Sequence, residues 1–60
     1  MQLTQAYIRD VARREVQAVK ESSGHPAKLA EWRLLVEDRH VSLIVLIHSS
    51  SGLRSRQVAM

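Results

Sequence analysis

Cysteine is absent from the 60 residues, and so is phenylalanine. Without thiols there can be no disulfide and no thiolate zinc site, two of the usual supports of very small domains. Aromatic side chains are limited to Tyr7 and Trp32, so burial rests on Val, Leu, Ile and Ala. Each large aliphatic side chain contributes ~1.5–3 kcal/mol when fully buried. No stretch approaches the ~20 apolar residues that span a bilayer. The first eight residues lack a basic segment leading into an apolar run, so no secretory signal is expected and the chain reads as cytoplasmic.

Length sharpens these exclusions. A chain of this size buries only ~60% of its unfolded surface, while ordering each residue costs roughly 1.5 kcal/mol. Residues 1–60 therefore read as one small domain whose remaining route to stability is association. An obligate homodimer is expected.

The single proline and two glycines mark the breaks. Residues 3–22 hold neither and are rich in helix formers, which predicts a helix with Thr4 as a possible N-cap. At 100° per residue, Tyr7, Ile8, Val11, Ala12, Ala18 and Val19 share a broad apolar face, and Arg9, Arg13 and Lys20 form a basic stripe away from it. Asp10 and Arg14 stand four apart and support the helix. Glu15 interrupts the apolar face. It is either a helix edge reaching water or half of an ion pair at a helix contact, with Arg14 or a neighbour's Arg39 as partner.

A turn follows over 22–26, where Gly24 suits a helix C-terminus and Pro26 suits the start of a new element. The segment 27–37 supports two readings. Its Ala, Lys, Leu and Glu content, with Leu29, Trp32 and Val36 on one stripe, favours a second helix. Alternation of Trp32, Leu34 and Val36 with Arg33, Leu35 and Glu37 instead allows a strand over 32–37, paired with 41–48.

Residues 41–47 are β-branched and apolar on both faces apart from Ser42. They read as a strand or a helix that must be covered on both sides by 32–37 or by a second chain. Residues 49–60, with Arg54 and Arg56, have too little periodicity to predict an element and read as a flexible basic tail. The expected fold is thus mainly α, with helices over 3–22 and 27–37 and a possible short β element; the alternative is α+β with a 32–37/41–48 hairpin.

Chemistry is sparse. His25, His40 and His48 match no compact metal-ligand spacing, and an extended segment would separate the last two by roughly 26 Å at ~3.3 Å per residue. Glu37 and Asp38 read as a solvated turn, and the serines lie in turn sequence without a glycine-flanked elbow or a base. No catalytic residue, metal or cofactor is expected. The net charge of +3 fits contact with nucleic acid or an acidic protein.

Residues 32–56, from Trp-Arg-Leu-Leu-Val-Glu-Asp-Arg through Val-Leu-Ile-His to the arginines, loosely resemble the terminal hairpin of small bacterial toxins that cleave mRNA on the ribosome. In that family the hairpin ends in a basic segment that contacts RNA, which would give His48 and Arg54 a part in cleavage.

The expected function is therefore a non-enzymatic interaction module. Arg9, Arg13, Lys20, Arg54 and Arg56 would meet nucleic acid, and Tyr7, Val11, Trp32, Val36, Leu43, Ile44, Val45 and Ile47 would form the dimer interface. The alternatives are an assembly subunit that binds another protein through 41–47, and the ribosome-dependent RNA-cleaving toxin.

Overall fold

The computed structural model describes residues 3–60, as one helix followed by three antiparallel strands. Helix α1 spans Gln5–Ser23, β1 Ala27–Glu37, β2 His40–Ser49 and β3 Gly52–Ala59. The strand order is β1-β2-β3, which makes β2 the central strand.

Helix α1 begins where Thr4, in extended conformation, accepts a 3.1 Å hydrogen bond from the Tyr7 amide. It ends at Gly24, whose φ of 72° is left-handed and whose N–H donates to the Lys20 carbonyl at 2.8 Å. The buried stripe is Ile8, Ala12, Val16 and Val19. Relative to the periodicity reading, this stripe is rotated toward Val16. Tyr7 and Val11 are only half-buried, Ala18 is exposed, and Glu15 lies at the border of the stripe.

The expectation of a mainly α chain is overturned, because 27–37 is a strand. Propensity favours a helix there, but β2 decides the outcome: a β-branched apolar strand with open backbone edges templates pairing, and here each of its edges is taken by a strand of the same chain. Strand β1 supplies one, pairing from Ala27↔Ser49 to Glu37↔His40 around the two-residue loop Asp38-Arg39. The φ of 52° at Asp38, the first loop position, fits a turn that needs a positive φ there.

A bulge explains why β1 imitates a helix. Ala30 has no partner, since the register steps from Leu29↔Ile47 directly to Glu31↔Leu46. Alternation changes phase at that point, so Ala27, Leu29, Trp32, Leu34 and Val36 all lie on the helix-covered face. The Leu29–Trp32–Val36 spacing that suggests a helical stripe is a strand's face with one extra residue in it.

The α+β alternative also fell short, because it stopped at a two-stranded hairpin. The flexible-tail expectation for 49–60 is replaced by β3, which pairs with β2 from Ser42↔Ala59 to Ser49↔Gly52. Gly52, with φ 111°, follows the Ser50-Ser51 turn at the position where a hairpin of this kind requires a positive φ. The far end is closed by the Met60 amide, which donates to the Val41 carbonyl at 2.9 Å.

The core lies between α1 and one face of the sheet. Leu43, Val45 and Ile47 are fully buried there, with Ala12 allowing the helix to approach closely. Val11, Leu29, Trp32, Val58 and Met60 pack around them. Among the described residues the opposite face carries no second layer. Ile44 and Leu46 lie on it half-exposed, between Arg33 and Glu31 of β1 and Gln57 and Ser55 of β3.

Candidate nucleic-acid interface

The basic side chains of α1 do not point away from the sheet. Arg9, Arg13 and Lys20 project about a quarter turn round the helix from its buried stripe, all on one side. On that side α1 and β1 leave an open groove of ≈ 370 Å³. Val16, Ala27 and Leu29 line it with apolar atoms and Arg13, Gln17 and Lys20 bring polar ends to it, while Lys28 borders it on the edge strand, its side chain leaving the sheet on the face that its partner His48 shares. No carboxylate lines the groove, and Arg13, Lys20 and Lys28 make no ion pair among the described residues. Lys28 was missing from the sequence reading. A helix over 27–37 gives no reason to place it near Arg13; the edge strand puts it at the rim of the groove.

Arg54 and Arg56 are elsewhere. They sit on the helix-covered face of β3, opposite Ile47 and Val45, on the far side of α1 from the groove. Arg56 is engaged: its Nε donates to Glu15 Oε1 at 3.0 Å, with the carboxylate side chain only 23% exposed. The charge that interrupts the apolar stripe of α1 is thus met by a residue 41 positions away in the same chain. The five candidate cations form two groups separated by the helix.

The proposed interface residues divide similarly. Leu43, Val45 and Ile47 are buried against α1 of their own chain, and Trp32 packs against the same core. Tyr7 and Val11 are half-buried on α1. Ile44 stays on the uncovered face, and Val36 is 68% exposed at the end of β1.

The histidines do not converge. His40 and His48 lie at opposite ends of β2, and His25 sits in the turn after α1. Among the described residues no three His, Asp or Glu side chains form a group that could hold a metal ion. Strand geometry also separates His48 from Arg54. Arg54 pairs with Ile47 on the helix-covered face, while His48 is the next residue and points to the opposite one. The two side chains cannot address one scissile phosphate from within a single chain.

No described helix is long and apolar enough to cross a membrane. No protein-family model matches the chain, and neither a curated protein nor a solved structure is detectably similar to it.

Proposed function

We propose that this chain is a small non-enzymatic binding module that holds the phosphate backbone of nucleic acid in the groove between α1 and β1. The carrying observation is that Arg13 and Lys20 line that groove, with Lys28 at its rim and no carboxylate among the described residues that line it. Arg9 extends the same stripe along the helix. Phosphates need cations spaced along a track, and contacts of this kind set affinity without reading sequence. Bases have little to stack on, because Trp32 packs on the core and Tyr7 is on the other flank of α1.

The test is fluorescence anisotropy with a labelled duplex of arbitrary sequence, titrated at several salt concentrations. Contact with four phosphates through Arg9, Arg13, Lys20 and Lys28 gives a log–log salt slope of about −3.6 for B-form DNA. Removing two of the cations, as in the Lys20→Gln/Lys28→Gln double variant, should bring the slope to about −1.8. Arg54→Gln, on the far side of the helix, should leave it nearly unchanged. No binding at low salt, or equal effects from the two sets of substitutions, would remove the proposal.

A further inference from the structure

Strand β1 is an edge strand whose outer side has no backbone partner among the described residues. Three of the large apolar side chains most open to solvent follow one another at its end: Leu34 at 40%, Leu35 at 38% and Val36 at 68% exposure. Edge strands are normally protected by charge, bulges or cover, because a bare one templates pairing with another chain. The first half of β1 has such protection, with Lys28 and the bulge at Ala30. The second half does not.

We infer that a second copy of this chain covers that edge, through antiparallel pairing of the two β1 strands about a two-fold axis at Leu35.

The register follows from the hairpin and the charges. In a two-residue hairpin, the residues flanking the loop exchange both of their backbone hydrogen bonds, which here are Glu37 and His40. Odd-numbered residues of this half of β1 therefore bond to β2, while Leu34 and Val36 turn their N–H and C=O groups to the free edge. A two-fold axis at Leu35 sets Leu34 of each copy against Val36 of the other, so these groups satisfy one another.

The same axis places Arg33 opposite Glu37 of the other copy, twice by symmetry, in the closely spaced type of pair. Other axes fare worse. One at Arg33 opposes two arginines, one at Leu34 opposes Glu31 to Glu37, and one at Trp32 runs the ladder into the bulge. Arg33 is held ready by Glu31, whose carboxylate accepts a 2.9 Å hydrogen bond from its Nε. The product is one continuous six-stranded sheet with both α1 helices on the same face, since such an axis is perpendicular to the sheet. This surface is separate from the phosphate-binding groove and stands or falls without it.

Sedimentation of the wild-type chain and two charge variants tests the register. Arg33→Glu places like charges opposite each other, and so does Glu37→Arg. Each variant should need at least tenfold higher concentration than wild type to dimerise. An equimolar mixture should dimerise like wild type, because every Glu then faces an Arg. Because the chain has no cysteine, Leu35→Cys is a second and independent probe. Oxidation should link it into a covalent dimer, as Cα atoms of such a pair lie within disulfide reach. Ser55→Cys on β3 should not link. A wild-type chain that stays monomeric at millimolar concentration, a mixture that remains monomeric, or Leu35→Cys that links no better than Ser55→Cys would each overturn the inference.

Discussion

Ile44 and Ile47 are the same residue type, three positions apart in one strand, and the structure gives them opposite environments. Ile47, on the face of β2 toward α1, is fully buried, with Leu29 opposite it on β1. Ile44 lies half-exposed on the uncovered face, between Arg33 and Gln57. Truncating a buried Ile to Ala removes its transfer free energy and leaves a cavity, at a cost of about 2–5 kcal/mol. A domain of this length has roughly 3–9 kcal/mol in total, from 0.05–0.15 kcal/mol per residue.

Ile47→Ala should therefore lose roughly a fifth or more of the stability, and Tm should fall by about 15–40 °C. Ile44→Ala should cost less than about 1 kcal/mol, as for substitutions outside the packed core. Urea unfolding followed by Trp32 fluorescence and far-UV circular dichroism measures both, at micromolar protein or below so that self-association does not contribute. If segment 41–47 were a helix, Ile44 and Ile47 would share a stripe and the two losses would be similar. Similar losses would refute the strand assignment and the one-sided core together.

Two other predictions concern α1. Thr4→Ala removes the acceptor for the Tyr7 amide and should destabilise the fold by about 0.5–2 kcal/mol in the same urea assay, with Thr4→Ser close to wild type. A double-mutant cycle of Glu15→Ala and Arg56→Ala should return a favourable coupling of less than about 1 kcal/mol that shrinks in salt, because the arginine is 46% exposed. Zero coupling would mean that the ion pair does not persist in solution.

Helix α1 was readable because its signals agree: a cap residue, good helix formers, a 3.6-residue period and a terminal glycine. Segment 41–47 was readable as an apolar element in need of neighbours, but its expected cover on both faces is not observed: it is the centre of a sheet within one chain, buried on the face toward α1 and half-exposed at Ile44 and Leu46. Its neighbours were disguised for different reasons. Strand β1 carries a phase change at Ala30 and residues of high helix propensity, so both periodicity and composition point to a helix. Strand β3 places Arg54 and Arg56 on its core-facing side, where alternation should show apolar residues. Only the long-range contact with Glu15 explains an arginine there, and no local pattern encodes it.

The candidate site was half legible for the same reason. Arg9, Arg13 and Lys20 follow from helical spacing alone, whereas Lys28 joins them only through the tertiary placement of β1 beside α1.

Ala30 gives the chain an unusual tolerance to changes in length. Losing a residue of β1 away from the bulge would turn one end of the strand over, exchanging its core side chains for those in solvent. Losing Ala30 would turn nothing over. Leu29 and Glu31 already face adjacent residues of β2, so the shortened strand would continue the ladder with every side chain on its present face. The deletion would also make the strand's alternation regular, removing the feature that makes it read as a helix. Ala30 is thus a spare residue in a strand with no other slack, and the one point where β1 can shorten without re-registering.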